Sequence, residues 1–278
     1  MPSGTKIAFL ARHGKGHTIS PSDVPSRANI SALKSLGVKA ILAFSAVGSL
    51  REEIAPGDFI LPSQVIDRTK GVRPASFFEG TTIVAHAAFG DPFSTKLVAW
   101  LESRVRRVLE EEPRGIKLHT DKTVICMEGP QFSTRAESTM YRSWGADLIN
   151  MSVLPESKLA REAELGYRCP CTLVLPLTLR SFARYALIAT ATDYDSWRPN
   201  NGAVTAAEIL KTLQSNADTS RQVAAKILED LHDAASDGGI LTEEVGSMKF
   251  SIMPRSQGQE GEDIRKLSYV LPEYFQTV

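Results

Sequence analysis

Two short apolar runs, residues 124–127 and 147–150, each end in polar sequence that leads into a helical pattern. Apolar runs of this length, bounded by turn residues, are typical of buried strands. After the first run a Gly-Pro pair ends the strand, and Thr134 followed three residues later by Glu137 predicts a helix opened by a capping box. This part of the chain is therefore predicted to fold as strand, helix, strand and helix.

The same alternation extends along the chain. Further strands are predicted at residues 6–11, 38–43, 59–61, 64–69, 185–190 and 245–253. Further helices are predicted at residues 28–36, 94–109, 155–166 and 205–235, the last as one long helix or a broken pair. Strands that alternate with helices through short connections favour a parallel sheet. We expect an α/β fold: a single domain with a mostly parallel, mixed sheet flanked by helices.

The domain organisation follows from length and composition. A chain of 278 residues can bury a sizeable core, and no Pro/Gly/Ser-rich linker divides it. We expect one domain over residues 1–253 and a C-terminal tail over residues 254–278, in which the polar residues 256–263 are mobile. The irregular residues 71–92 are long for a loop in a compact domain, which favours a functional or interface role.

The charge balance narrows the class of function. Lysine plus arginine and aspartate plus glutamate both number 32, so net charge gives no argument for binding nucleic acid or an anionic membrane. The first residues lack the apolar core of a signal peptide, and no run reaches the roughly 20 apolar residues of a membrane span. We therefore expect a cytoplasmic location, extending to the nucleus.

The cysteines indicate neither a metal site nor a disulfide framework. Cys126 lies in a buried strand pattern as an inert thiol, and Cys169 and Cys171 are one residue too close for a Cys-x-x-Cys pair. No grouping of His, Cys, Asp or Glu has metal-ligand spacing. Neither a Gly-x-Gly-x-x-Gly nor a Gly-Lys-Ser/Thr loop supports the use of a dinucleotide or a nucleoside triphosphate. We expect no metal and no cofactor.

Several candidate binding residues follow the two strands of the opening motif. In open α/β sheets, ligands bind in the crevice outside the carboxyl ends of the strands. Phe132, Asn150, Met151 and Ser152 are expected at that edge. An aromatic ring, a thioether and a hydroxyl together suit a ligand with a flat base, an apolar tail and an anionic group. The alternative is an ordinary strand–turn–helix unit with Phe132 and Met151 in the core.

The sequence Asp193-Tyr194-Asp195 at the end of an apolar strand is the sharpest chemical signal. Two such carboxylates could accept hydrogen bonds from an exocyclic amine. One of them, its pKa raised by burial, could give a proton to a ring nitrogen. The alternative is a solvated turn, but the apolar strand before the pair and Trp197 after it favour the functional interpretation.

Two further strand ends carry groups that suit an anion. Arg12 can donate two parallel hydrogen bonds, with His13 beside it, although such a pair by itself is more often a surface ion-pair partner. Ser45 and Ala46 follow the next predicted strand and, like Ser152, carry no signal individually.

Taken together, a set of ordered motifs resembles the eukaryotic S-methyl-5′-thioadenosine phosphorylases, which belong to the trimeric purine nucleoside phosphorylases. The motifs are residues 11–14, 45–54, 56–58, 66–69, 128–137, 144–151 and 191–195. The resemblance extends to about residue 253 and implies a nucleoside phosphorylase domain over residues 1–253. It also implies phosphorolysis of methylthioadenosine to adenine and 5-methylthioribose 1-phosphate, in methionine and purine salvage. Phosphate would be the co-substrate, and the enzyme a homotrimer without metal.

The resemblance also implies roles for individual residues. The phosphate-binding residues would be Arg12, His13, Ser45, Ala46 and Ser152. The substrate-binding residues would be Phe132, Asn150, Met151, Tyr194 and, from a neighbouring subunit, His86. Asp193 would protonate the purine N7 and Asp195 would help to hold the 6-amino group. The residues that tune substrate choice would be Ser133 and Ala206.

Two other interpretations remain open. The first is a phosphorylase for 6-oxopurine nucleosides; relatives with that preference carry Asn at the position of Asp193, since a carboxylate there would face an oxygen lone pair. The second is a non-catalytic paralogue or splice form that only joins trimers.

Two departures from the family pattern bear on activity. The family begins with a strand and a Gly-Gly-Thr-Gly-type phosphate loop that precede the first residue of this sequence. At residues 168–184 the family runs almost directly from helix to strand, so we predict that residues 169–184 are an insertion. Pro170 and Pro176 within it suit neither a helix nor a central strand. It is either an apolar loop or, as we favour, sequence absent from the mature protein. We expect the chain as written to have weakened or no activity.

Overall fold

The computed structural model describes residues 6–165, 185–198, 205–236, 246–254 and 261–275. Within these residues the chain forms five strands, seven α-helices and one 3₁₀-helix, Asp195–Trp197. The strands are β1 (Ile41–Ser49), β2 (Phe59–Arg68), β3 (Leu118–Met127), β4 (Leu148–Asn150) and β5 (Tyr185–Asp193). The α-helices are α1 (Ser26–Ser35), α2 (Thr95–Glu110), α3 (Arg135–Ser143), α4 (Val153–Glu162), α5 (Ala206–Ser215), α6 (Ala217–Ser236) and α7 (Gly261–Ser268).

The five described strands close into a barrel in the order β1-β4-β3-β2-β5. Three neighbouring pairs are parallel: β1 with β5, β2 with β3, and β3 with β4. The other two, β1 with β4 and β2 with β5, are antiparallel and short. The predicted single α/β domain with a mostly parallel, mixed sheet is confirmed. The sheet is closed, because the two short antiparallel contacts join its edges.

Successive side chains of β5 alternate between two apolar clusters, as the two-residue period of a strand requires. Tyr185, Leu187 and Ala189 belong to the larger cluster, to which α1, α4 and α7 also contribute. Ala186 and Ile188 belong to a second cluster under α2 and α6. The strand is therefore buried on both faces, which explains its continuous apolar sequence.

Helix α2 begins where the sequence predicts, because Ser94 caps it. The Ser94 hydroxyl accepts a hydrogen bond from the Leu97 amide at 3.2 Å. Every fourth residue of the helix is then buried, and this apolar stripe packs against α6 in the second cluster. The predicted capping box at the start of α3 is also confirmed, with Thr134 and Glu137 each accepting from the other's backbone.

Four of the predicted strands differ from the structure in the first half of the chain. Residues 6–11 form no strand; they lie on the surface, with the Phe9 side chain 92% exposed. Their apolar pattern predicted a strand, but no described strand lies beside them to supply hydrogen-bond partners. The strand predicted at 38–43 begins later and continues to Ser49, because its pairing with β5 extends over the polar residues. The runs 59–61 and 64–69 form the single strand β2, whose register shifts at Pro62.

The C-terminal region is packed against the domain. The strand predicted at 245–253 is wrong: its described residues form turns with one isolated bridge, between Ala85 and Ile252. The expectation of mobility is wrong for Asp263, which is buried in α7 and accepts from the Thr82 amide at 2.8 Å. The sequence around Leu271 also belongs to the main cluster. The insertion predicted at 169–184 lies outside the described residues.

We expect Ser94→Ala to lower the free energy of unfolding by about 1–2 kcal/mol, since it removes the cap of a buried helix start. The measurement is urea unfolding at equilibrium. Ser103→Ala is the matched control, because Ser103 is exposed on the same helix, where its hydroxyl donates to the Trp100 carbonyl and accepts from Arg104 Nη1 but caps no helix end. Equal stability of the two variants would contradict the role of the cap.

Candidate active site

The antiparallel contact between β1 and β4 brings three predicted phosphate-binding residues together. Gly48 pairs with Ile149, and the same register continued places Ser45 opposite Ser152. The hydroxyl oxygens of Ser45 and Ser152 lie 3.2 Å apart. The Nη2 group of Arg12 donates to the Ser152 hydroxyl and to the Phe44 carbonyl, each at 3.2 Å. We call Arg12, Ser45 and Ser152 the anion corner; their role in binding stays a prediction.

A carboxylate that sequence reasoning missed supports the anion corner. Glu156, in the first turn of α4, places Oε2 at 3.6 Å from the Arg12 guanidinium. The hydroxyl of Tyr185 donates to the same oxygen at 2.7 Å. Burial raises the pKa of Tyr185 well above its usual value, and the nearby Glu156 charge adds to the rise, so the phenol stays a donor. The sequence pattern placed Glu156 only in the first turn of a predicted helix and gave no indication of its contact with Arg12.

The other predicted anion ligands lie next to this corner in sequence. His13 Nδ1 lies 3.0 Å from the Ile19 carbonyl, and its ring stacks on that of His17. Burial lowers the pKa of His13, so the ring is neutral at neutral pH and Nδ1 donates to the carbonyl. Ala46 pairs with Thr190 within the interior of β1, so neither it nor Ser45 follows the strand as predicted.

The Asp pair is positioned by an irregularity in the pairing of β1 with β5. Val47 pairs with Ala191, but Gly48 pairs with Asp193, which leaves Thr192 as the extra residue of a bulge. Bulges of this kind turn side chains in a new direction and recur beside active sites. The Thr192 hydroxyl donates to Asp193 Oδ1 at 2.7 Å and so fixes the carboxylate.

Gly48 allows this close approach. A Cβ atom at Gly48 would lie 2.9 Å from Cγ2 of Ile149 and 3.3 Å from Oδ2 of Asp193. Any larger residue would therefore push the aspartate away from β1. Since Gly48 follows Ser45 by three residues, the anion corner and the Asp pair lie about 10 Å apart along one strand.

Asp195 is the most strongly perturbed carboxyl group of the site. It is 4% exposed, adopts a φ of 45°, and its amide donates to Asp193 Oδ2 at 2.9 Å. Its own Oδ2 is buried without a hydrogen-bond partner among the described residues. Burial raises the pKa of Asp195 to about 6, and the charge of Asp193 adds to the rise. A buried carboxyl of this kind readily takes up a proton.

Aromatic contacts hold the loop that carries the pair. The indole of Trp197 donates to the Ser49 carbonyl at 2.9 Å, which fixes the loop to the end of β1. Tyr194, a predicted substrate ligand, packs edge-on against Trp197, and the Arg198 guanidinium lies 3.7 Å from the centre of its ring. The Ser196 hydroxyl donates to the Ser133 carbonyl at 2.7 Å.

The residues predicted to bind the base and the sugar follow β3 and β4 or lie at the end of β4. Met151 packs on Gly129, so closely that a Cβ there would overlap its sulfur. Asn150 is buried, and both polar atoms of its amide lack a partner within the described residues. Ser133 is buried with its hydroxyl donating to the Met127 sulfur at 3.4 Å, whereas Phe132 is 40% exposed.

The remaining predicted residues are His86 and Ala206, and the structure shows no contact between the His86 side chain and these groups. The His86 side chain is exposed, and its backbone amide donates to the Ser251 carbonyl at 2.8 Å. Ala206 is the first residue of α5, and its side chain lies outside what the structure describes. Helix α5 itself contacts the site, since the Thr212 hydroxyl donates to the Thr192 carbonyl at 3.1 Å.

Within the described residues, no three or more His, Cys, Asp and Glu side chains are grouped to hold a metal ion. Among the described helices, none has the length and hydropathy needed to span a membrane.

Comparisons with known proteins identify the family. Residues 3–229 match the phosphorylase superfamily, so the chain belongs to that superfamily. It is 60% identical to the S-methyl-5′-thioadenosine phosphorylase of Coprinopsis cinerea, over 99% of this chain and 85% of the relative. It is 56% identical to the enzyme of the same name from Mycosarcoma maydis, over 92% and 76% of the two chains. Within the superfamily, the chain therefore belongs to the S-methyl-5′-thioadenosine phosphorylases.

Solved structures agree with this assignment. A methylthioadenosine phosphorylase from an antarctic soil metagenomic library superimposes with a TM-score of 0.76 and 36% identity, over 95% of this chain and 83% of the other. The methylthioadenosine phosphorylase of Schistosoma mansoni in complex with adenine gives a TM-score of 0.67 and 28% identity, over 94% and 81%.

The raised pKa of Asp195 predicts a stability cost. The folded-state pKa of about 6 exceeds the ordinary 3.8, so the folded state loses stability as pH rises between these values. We expect Asp195→Asn to remove this loss and to raise the free energy of unfolding at about pH 7 by about 1–3 kcal/mol. The measurement is urea unfolding across the pH range, with the exposed Asp218→Asn as control. A less stable Asp195→Asn at neutral pH would contradict the raised pKa.

Proposed function

We propose that this chain catalyses the phosphorolysis of S-methyl-5′-thioadenosine to adenine and 5-methylthioribose 1-phosphate. The observation that carries the proposal is the spacing along β1. The anion corner includes Ser45 and the Asp pair lies opposite Gly48, so the two backbone positions are about 10 Å apart along β1, a span that suits phosphate at one end of a nucleoside and the purine at the other. The names of the relatives point to the same substrate.

The reaction requires one kind of catalysis at the sugar and another at the purine base. A phosphate oxygen forms a bond to C1′ of the sugar while the bond from C1′ to N9 of the purine breaks. The bonding electrons pass to the base, whose N7 takes up a proton. Catalysis thus needs an oriented anion on one face of the sugar and a proton donor at the base.

The anion corner supplies the first requirement. Arg12 presents a guanidinium, which is the side chain best suited to paired hydrogen bonds with phosphate. Its hydrogen bond to Ser152 shows that guanidinium and hydroxyl converge on the same small volume. The Ser45 hydroxyl, 3.2 Å from that of Ser152, adds a third donor. The ion pair with Glu156 keeps the guanidinium in place before phosphate arrives.

The Asp pair supplies the second requirement. Asp193 accepts hydrogen bonds from the Thr192 hydroxyl and the Asp195 amide, which fix the orientation of its carboxylate. Asp195 carries the raised pKa of about 6. Because the two groups are coupled, we assign one proton to the pair rather than to a single residue. This pair delivers the proton to N7 and accepts from the 6-amino group of adenine.

We expect the wild-type chain, even with the weakened activity predicted from its sequence, to release adenine from methylthioadenosine only when phosphate is present. Asp193→Asn should lower that rate by about 10²–10⁴-fold, because it removes an ionisable member of the acid pair. It should lower the rate with inosine less, since an amide can donate to a 6-oxo group. The control is Asp218→Asn, a change of the same chemistry on an exposed helix surface.

The rival interpretations give different results in this assay. A 6-oxopurine phosphorylase would cleave inosine faster than methylthioadenosine in the wild-type chain. A non-catalytic trimer-forming paralogue would release no base from either nucleoside. Either result would overturn the proposal.

We further propose that the active form is a homotrimer in which His86 reaches the substrate of a neighbouring subunit. The support is local: a backbone hydrogen bond to Ser251 fixes the segment while the imidazole remains exposed. Light scattering should give three times the chain mass of 30.3 kDa. Full activity in a monomer would contradict this assembly.

A further inference from the structure

Arg73 is a buried arginine that lies outside the predicted site residues. It sits in the irregular segment 71–92 and is 6% exposed. Its Nη1 group donates to the carbonyls of Met151 and Leu154 at 2.6 and 2.8 Å. Its Nη2 group donates to the Glu128 carbonyl at 2.5 Å. One guanidinium therefore satisfies three backbone carbonyls of the site.

These contacts bring together the residues that follow three strands, β2, β3 and β4. Glu128 follows directly after β3, and Met151 follows directly after β4. The carboxylate of Glu128 lies 2.6 Å from Arg73 Nε and also accepts from the amide of Lys70, two residues beyond β2, at 2.6 Å. The Ser22 hydroxyl donates to the same carboxylate at 3.0 Å and connects it to the loop that follows the Arg12-His13 pair.

The ion pair and hydrogen bonds of Arg73 orient the backbone of the site more than they stabilise the fold. A buried ion pair loses hydration at both charges, so it contributes little net stability compared with apolar packing of the same volume. A guanidinium is nevertheless suited to the geometry, because its five donors have fixed directions that match several acceptors at once. Lysine has a single ammonium and cannot reproduce that pattern.

We propose that Arg73 is a positioning residue for the phosphorolysis proposed above, on which this inference rests. By holding the carbonyls of Met151 and Leu154 it fixes the backbone on both sides of Ser152. The Ser152 hydroxyl is thereby kept in the anion corner, and the Met151 side chain is kept against Gly129.

The test compares Arg73→Lys with Arg161→Lys. Arg161 is also buried, at 2% exposure, and donates to the carbonyl of Asp91, a residue of the irregular segment 71–92, at 2.6 Å. We expect Arg73→Lys to lower kcat/KM for phosphate by ten- to hundredfold, the usual cost of a displacement of about 1 Å, chiefly through KM. Arg161→Lys should keep the kcat/KM of the wild type even where its melting temperature falls as much.

A binding measurement separates this inference from the proposed function. Inorganic phosphate should raise the melting temperature of the wild type and of Arg161→Lys but not that of Arg73→Lys. If the wild type binds phosphate in this way and cleaves no nucleoside, the proposed function fails while the positioning role stands. An unchanged response in Arg73→Lys, or an equal loss in Arg161→Lys, would overturn the role of Arg73. Wild-type protein without any response would overturn it as well.

Glu128→Gln provides a second variant if Arg73→Lys does not fold. It removes the charge of the partner but leaves the three carbonyls and the Arg73 side chain in place. We expect a smaller loss of phosphate affinity, in the same direction, with kcat nearly unchanged. Phosphate affinity equal to that of the wild type would contradict the positioning role.

Discussion

The arrangement of the site depends on the two-sided pairing of β1. Its parallel contact with β5 sets Asp193 opposite Gly48, and its antiparallel contact with β4 sets Ser152 opposite Ser45. The β1–β4 and β1–β5 registers are independent of each other, yet both involve the same nine-residue strand, β1. A shift of one residue in either register would turn the side chains of that neighbour to the other face. The closed barrel holds both registers, because each short antiparallel contact is flanked by longer parallel ones.

The site holds polar groups that a purely structural core would exclude. Asp195 Oδ2 and both amide atoms of Asn150 are buried without partners among the described residues, and burying such groups unpaired costs about 1–3 kcal/mol each. The surrounding strands are apolar and closely packed, as β5 shows, and they offset this cost. The same burial that destabilises the ionised form of Asp195 gives it a pKa suited to proton transfer. Stability and chemistry are therefore opposed at this residue.

Local patterns predicted much of the fold, and non-local pairing accounts for what they missed. The caps at Ser94 and Thr134 and the strand ends at Asp193 and Asn150 depend on residues close in sequence, so local patterns predicted them. The closure of the barrel depends on contacts between strands far apart in the chain, which no local pattern encodes. For the same reason Glu156 and Arg73 were missed, since their importance lies in partners from distant segments. Apolar residues 6–11 misled the prediction because a strand requires a neighbour as well as a pattern.

The charges around the anion corner have a consequence for turnover. Arg12 is faced by Glu156, and the pKa of the partly buried His13 is lowered, so these residues together carry little net charge. In the proposed reaction, phosphate would then be held by directed hydrogen bonds more than by a strong attractive field. A sugar phosphate formed there would experience the same weak electrostatic field and would not be bound more tightly by charge than phosphate is. If the proposed reaction takes place there, the corner would allow an anionic product to leave as readily as an anionic reactant enters, as a reversible group transfer at neutral pH requires.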